Sequence, residues 1–240
     1  MRNIIYQPWG GLGDNLAHSL IPELCFERGI KCYLSKQNAS RNEEIHNFVW
    51  GLNPYLEKER VDSEDLSWLD ECKKHEVGPL NQIQVMQKIY GFDTNYEYPK
   101  IYYKPKYIED FKDKTLIDLK AKSSMRYFTI QHIQERLQQL NIDKNNAINV
   151  IHSNVKYSAG AINIQNSIET IDINTLEYYS DVISSCKRFI TLLSGQSTLA
   201  STIKHQTNSD LQIDVLTPGD VLPHPRYNYT FSNANHIETH

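Results

Sequence analysis

The sequence predicts an α/β protein made of two successive parallel-sheet halves, and three features carry that expectation. Near the N-terminus a short apolar strand runs into a glycine-rich loop and then into helical periodicity. Near the C-terminus a second strand–turn–helix passage centres on Ser194-Gly195-Gln196-Ser197-Thr198. Between the two, apolar runs of strand length alternate with amphipathic stretches of helix length, the order that builds parallel sheets with crossover helices.

Residues 2–7 read as the first strand, and Pro8, Gly10, Gly11 and Gly13 punctuate the loop after it. From Asp14 the apolar spacing turns helical, with Leu16, Leu20, Leu24 and Cys25 on one face despite Pro22. Gly29 stops that helix, and Ile30 to Leu34 form a second strand. Glu43 to Trp50 reads as helical, Asn53-Pro54 as a turn, and Leu66 to Lys74 as a further helix. Asn81 to Tyr90 is an amphipathic helix ended by Gly91, and the Tyr-, Pro- and Lys-rich stretch 96–107 connects the halves. The expected division is therefore residues 1–107 and 108–240.

In the second half, Leu116 to Leu119 is a strand and Phe128 to Leu140 an amphipathic helix. Ala147 to His152 and Ala161 to Gln165 are strands, Thr175 to Cys186 a helix, and Phe189 to Leu193 a strand. The turn at Ser194 leads into a helix over Thr198 to Lys204, and Leu211 to Leu216 is the last expected strand. From Pro218 onward the chain has little period and is expected to wrap over the surface. His236 and His240 have the spacing of helical metal ligands, but in a tail of this composition fraying is the expected state.

Composition narrows the function classes. The 240 residues are 40% hydrophobic and 22% charged, ordinary for a chain with a real core. A net charge of -4 with scattered Lys and Arg gives no footprint for nucleic acid. No stretch approaches the ~20 apolar residues that cross a bilayer, and Gly10, Gly11 and Asp14 interrupt the N-terminus before a signal-peptide core forms. Cys25, Cys32, Cys72 and Cys186 are dispersed, with no Cys-x-x-Cys pair. Buried, inert thiols in a reducing, cytoplasmic compartment are expected, with no metal site.

The two glycine-bearing turns carry the chemistry. Gly10-Gly11-Leu12-Gly13-Asp14-Asn15 and Ser194-Gly195-Gln196-Ser197-Thr198 each put glycine and small polar residues between a strand and a helix. Glycine allows close ligand approach, and a helix start offers unpaired N–H groups and partial positive charge, a pairing suited to phosphate. The same residues equally serve as turn and N-cap chemistry. Four other site types are excluded by residue. After Gly11 and Gly13 a dinucleotide fingerprint would need glycine where Leu16 stands, and the second strand ends at Ser35-Lys36 without an acidic ribose ligand. A nicotinamide-dependent oxidoreductase is thereby disfavoured. No Gly-x-x-x-x-Gly-Lys-Ser/Thr loop, Asp-x-Asp pair or Gly-x-Ser-x-Gly elbow occurs.

Gly10-Gly11-Leu12-Gly13-Asp14-Asn15-Leu16 resembles the N-terminal motif of the heptosyltransferase-like GT-B glycosyltransferases. Leu52-Asn53-Pro54-Tyr55 is similar to a first-domain segment of that family, and Ser194 to Ala200 to its donor-side turn. The resemblance covers the whole chain in outline and the two turns in detail. It implies two Rossmann-like parallel-sheet domains facing a cleft: an acceptor-side domain over residues 1–107 and a nucleotide-sugar-binding domain over 108–240. It implies transfer of a hexosyl- or heptosyl-type sugar from a nucleotide-sugar to a hydroxyl of a glycan, lipid or other acceptor, with inversion, without a metal and with no cofactor besides the donor.

In that scheme Asp14 is the catalytic base. Gly11, Gly13, Ser194, Gly195, Gln196, Ser197 and Thr198 bind the donor and its phosphates. A cation is expected from Lys120, Lys122 or Arg126, and Arg126, followed by Tyr127 just before a helix, matches the family's basic-aromatic pair best. A non-catalytic nucleotide-sugar-binding or assembly module of the same fold is the competing reading. Tyr157, Glu177, His18 and His152 carry no recognisable motif.

Overall fold

The computed structural model describes residues 2–62, 80–121, 128–152, 168–207, 209–218 and 229–239. The chain forms two compact units, one of Met1–Lys104 with Pro223–Phe231, the other of Pro105–Leu222 with Ser232–His240. The sequence places the division at residue 107 and assigns the whole tail to the second half; in the structure the tail contributes to both units.

In the first unit β1 (Ile4–Ile5), β2 (Cys32–Ser35) and β3 (Leu56–Val61) make a parallel sheet in the order β1-β2-β3. Ile4 and Ile5 pair with Tyr33 and Leu34. The single helix expected after the glycine loop is two, α1 (Leu12–His18) and α2 (Ile21–Glu27). Pro22 explains the break: its ring cannot continue a helix interior but fits a first turn, where no N–H is needed. Leu16, Leu20, Leu24 and Cys25 are all buried, as their spacing requires.

At the end of α2, Gly29 takes φ +70. Its N–H reaches Phe26 O at 2.9 Å, and Ile30 N reaches Cys25 O at 2.9 Å, the paired closure that satisfies the last helical carbonyls. The Glu43–Trp50 stretch is α3 (Glu43–His46) continuing into a π-helical turn, Asn47–Gly51. Within α4 (Gln82–Ile89), Asn81 accepts from Ile83 N and Gln84 N while Gln84 accepts from Asn81 N, a reciprocal cap. The helix expected over residues 66–74 lies outside the described residues.

The second unit is a six-stranded, all-parallel sheet. Its elements in chain order are β4 (Thr115–Asp118), α5 (Ile130–Gln139), β5 (Ala147–Ile151), β6 (Glu169–Asp172), α6 (Leu176–Ser185), β7 (Arg188–Leu192), α7 (Gly195–Thr207), β8 (Gln212–Pro218) and β9 (Asn235–Thr239). The strands lie in the order β6-β5-β4-β7-β8-β9. The chain starts in the middle of the sheet at β4, works outward through β5 to β6, then crosses back to β7. The crevice between β4 and β7 is therefore the topological switch point, where open α/β sheets take their ligands beyond the carboxyl ends of the strands. Ile117, Leu119, Ile133, Ile190, Leu192 and Leu216 belong to one buried cluster that holds sheet to helices.

Three strands were not expected from the sequence: β3, β6 and β9. All three are sheet edges, with polar sequences (Leu-Glu-Lys-Glu-Arg-Val, Glu-Thr-Ile-Asp and Asn-His-Ile-Glu-Thr) and mostly half-buried or exposed residues. An edge strand meets solvent along one side, and charge there blocks further pairing, so its sequence lacks the apolar run of a central strand. The strand expected at residues 161–165 lies outside the described residues. β9 corrects the expectation that the tail only wraps the surface. It also removes the helical spacing of His236 and His240, because His236 stands in a strand paired with Val215.

Candidate functional site

In the first unit the β1–α1 loop is fastened by two fully buried amides. Gln7 Oε1 accepts from Trp9 N at 3.0 Å and Gly10 N at 3.1 Å, and Gln7 N donates to Asn38 Oδ1 at 3.0 Å. Asn15 Nδ2 donates to Gly11 O at 2.8 Å, while its Oδ1 accepts from Trp50 Nε1 at 2.7 Å and Ser40 Oγ at 3.2 Å. Gly10 holds φ +73, its carbonyl accepts from Arg41 N at 2.8 Å, and a Cβ on it would stand 3.1 Å from that same nitrogen. A Cβ on Gly11 would lie 2.6 Å from Asp14 Oδ2. Gly10 thus requires glycine, whereas a side chain at position 11 would displace the Asp14 carboxylate. Trp9 remains 53% exposed at the tip of this braced loop.

Asp14 lies in the first turn of α1, and its Oδ2 accepts from Gly11 N at 3.0 Å. Burial pushes its carboxyl above the ordinary aspartate range, although the Gly11 N–H, the Arg41 guanidinium and the Tyr229 hydroxyl each pull the other way. A carboxylate held this way is more basic than a solvated one, as a proton acceptor needs. One turn on, His18 is buried with its Nδ1 2.9 Å from Asp14 O, so that nitrogen carries the proton. Burial lowers its pKa from 6.5 to about 4, partly offset by the Asp14 carbonyl. His18 is therefore neutral near pH 7.

In the second unit the turn after β7 is built from hydroxyls. Ser197 Oγ accepts from Ser194 N at 3.1 Å and donates to Ser194 O at 2.7 Å. Thr198 Oγ1 donates to Ser194 O at 3.2 Å. Ser194 Oγ accepts from Gln196 N at 3.3 Å and donates to Leu192 O at 3.0 Å. Ser197 and Thr198 are fully buried and their hydroxyls hold the start of α7, where Thr198 N also donates to Ser194 O at 3.2 Å. Ser197→Ala should cost about 1–2 kcal/mol by removing a buried capping group, measurable as a lower urea midpoint with an unchanged slope. The Gln196 side chain crosses the switch point, Nε2 donating to Lys120 O at 2.5 Å.

Of the site residues expected from sequence, Gly11, Gly13 and Asp14 come together in the first unit, and Ser194 to Thr198 meet Lys120 in the second. Lys122, Arg126 and Tyr157 lie outside the described residues, as does Cys72. Cys25, Cys32 and Cys186 are buried free thiols. Sequence reasoning did not find Gln7, Arg41 or Tyr229, because each comes from a separate loop with no motif of its own. It also did not find a hydrogen-bonded cluster of Asp118 and His152, at the ends of β4 and β5, with Tyr179 of α6. Among the described residues no group of three or more His, Cys, Asp or Glu could hold a metal ion, and no described helix is long and apolar enough to cross a membrane.

By sequence the chain matches no protein-family model and no curated protein. By structure it matches several solved glycosyltransferases at low identity. TibC, described as a bacterial iron-containing dodecameric glycosyltransferase from enterotoxigenic E. coli, aligns with a TM-score of 0.64 at 14% identity over 98% of this chain. The chain spans 61% of TibC's length. The E. coli heptosyltransferase WaaC, solved with ADP, aligns at a TM-score of 0.58 and 9% identity over 98% of this chain and 92% of its own. A glycosyl transferase family 9 structure from Veillonella parvula aligns at 0.53 and 10% identity, over 98% and 84%. Its parallel α/β sheets and these alignments together give the chain the fold of the heptosyltransferases and of glycosyl transferase family 9.

Proposed function

We propose that the chain is a glycosyltransferase that moves a sugar from a nucleotide-sugar donor to an acceptor hydroxyl. The observation that carries this reading is Asp14: a half-buried carboxyl with raised basicity, at the carboxyl end of β1 in a fold shared with heptosyltransferases. Asp14 takes the proton of the acceptor hydroxyl as its oxygen attacks the anomeric carbon. The bond from that carbon to the donor phosphate breaks, and the nucleoside diphosphate leaves with the bonding pair. Attack opposite the leaving group inverts the anomeric centre.

The donor diphosphate is assigned to the switch point of the second unit. There the start of α7, Ser194 to Thr198, meets the turn of Lys120 through the Gln196 side chain, and a helix start of this kind suits phosphate oxygens. Arg126 is the proposed cation for the departing phosphate, and Gly11 and Gly13 are the proposed donor contacts of the first unit. With no Asp-x-Asp pair in the sequence, charge stabilisation is assigned to these groups rather than to a metal, so chelation should leave the rate unchanged. Free buried thiols suit a reducing, cytoplasmic compartment.

The test is a thermal-shift panel of ADP-, UDP-, GDP-, dTDP- and CMP-sugars with free nucleotides and NAD, followed by donor turnover. WaaC was solved with ADP, so ADP-sugars are the first choice. A donor at 100 times its Kd should add about 2.7 kcal/mol, a rise of about 5–10 °C for a chain of this size. No shift at millimolar donor would reject the reading. Binding without turnover would favour the non-catalytic module.

A further inference from the structure

Asp118 is the last residue of β4 and is fully buried. Its Oδ2 accepts from Tyr179 Oη at 2.5 Å and from His152 Nε2 at 2.7 Å, and its Oδ1 accepts from Lys120 N at 3.1 Å. His152 follows β5, the neighbouring strand, and its ring stands edge-on to Tyr179 with centroids 5.1 Å apart. Tyr179 is buried in α6 and also stands edge-on to Phe189 of β7. The flanking residues Leu116, Ile117 and Leu119 are buried and apolar.

A buried carboxylate in such company costs several kcal/mol unless every lone pair is used, and a core position is served better by an apolar side chain. Here the carboxylate stands where the chain leaves the sheet at the switch point. One of its bonds goes to the backbone of the turn itself. That turn continues the network: Lys120 O accepts from Gln196 Nε2, and Gln196 N donates to Ser194 Oγ. A single hydrogen-bonded path thus joins the ends of β5, β4 and β7.

We propose that Asp118, His152 and Tyr179 form a positioning network that sets the turns after β4 and β7 in the shape that receives the nucleoside diphosphate of the donor. Tyr179 and His152 then control donor affinity without touching it. This inference rests on the glycosyltransferase reading. Two donors on Oδ2 fix the carboxylate plane, the plane aims Oδ1 at Lys120 N, and the fixed Lys120 carbonyl anchors Gln196. Removing either donor leaves the carboxylate free to rotate and the anchor loose.

The experiment is calorimetric titration of the full chain with ADP, UDP and GDP, using wild type, Tyr179→Phe, His152→Leu and His152→Gln. Tyr179→Phe and His152→Leu each remove one hydrogen bond to a charged acceptor and keep most of the packing, so Kd for the nucleotide that wild type binds should rise about tenfold. His152→Gln restores an N–H donor of similar reach and should bind within about twofold of wild type. Wild-type affinity in both Tyr179→Phe and His152→Leu would overturn the network's role. So would His152→Gln binding as weakly as His152→Leu, since general loosening does not depend on a restored donor. Wild type binding none of the three nucleotides would instead reject the donor reading, and this inference with it.

Discussion

Asp14→Asn is expected to lower the rate of sugar transfer about 100- to 10,000-fold, the range for loss of a positioned general base, while donor binding stays within twofold. The substitution separates two roles of one side chain. As a helix-start group, Asp14 accepts from Gly11 N through Oδ2. An asparagine carbonyl accepts the same bond, so folding and loop shape should survive. As a base, the group must take a proton, and a neutral amide does not. If Asp14 only caps α1, the variant transfers sugar at the wild-type rate. The pH profile gives an independent readout. Burial raises the carboxyl above its ordinary 3.8, so kcat/KM should fall on the acid side at a pH above that of a solvated aspartate. The mechanism is loss of the unprotonated form as pH drops through the raised value, and the Asn variant should lack this limb.

The reach of sequence reasoning in this chain follows from how each feature is encoded. Gly10, Gly11 and Asp14 are near neighbours in the sequence, so the loop and its carboxyl were legible together. The groups that tune Asp14 were not: Arg41 arrives from the loop after β2 and Tyr229 from the tail. Central strands such as Arg188–Leu192 announce themselves by burial on both faces. Edge strands such as Glu169–Asp172 and Asn235–Thr239 carry charge and polar groups instead, and that pattern reads as loop. The Ser194–Thr198 turn was legible as a helix start, but not the partners of its hydroxyls. A ligand-binding hydroxyl and a capping hydroxyl have the same sequence, and only the bond from Ser197 Oγ to Ser194 O distinguishes them. His152 illustrates the limit most clearly. Asp118 and Tyr179 lie 34 residues before it and 27 residues after it; pairing of β4 with β5 brings Asp118 to it, and packing of α6 on the sheet brings Tyr179.

His18 should make the chain acid-labile in a defined window. Its pKa is 6.5 when unfolded and about 4 when folded, because the buried ring cannot be solvated as a cation. Between those values the unfolded chain binds a proton that the native chain refuses, so stability falls as pH falls from 6.5 towards 4. The gap between those values corresponds to about 3 kcal/mol, and most of it is lost by about pH 4.5. Asp14 acts in the opposite sense: its raised carboxyl holds a proton longer in the native state, so acid favours folding between its ordinary value and the raised one. His18→Asn isolates the histidine contribution. An asparagine amide reaches the Asp14 carbonyl as Nδ1 does but does not titrate, and the lost edge contact with Tyr90 is a cost that does not vary with pH. Urea unfolding at pH 7 and pH 4.5 should therefore show wild type losing about 2–3 kcal/mol more than His18→Asn between the two conditions. Equal losses in the two proteins would mean that His18 takes up its proton without unfolding, and that the helix carrying Asp14 opens to solvent more readily than its burial implies.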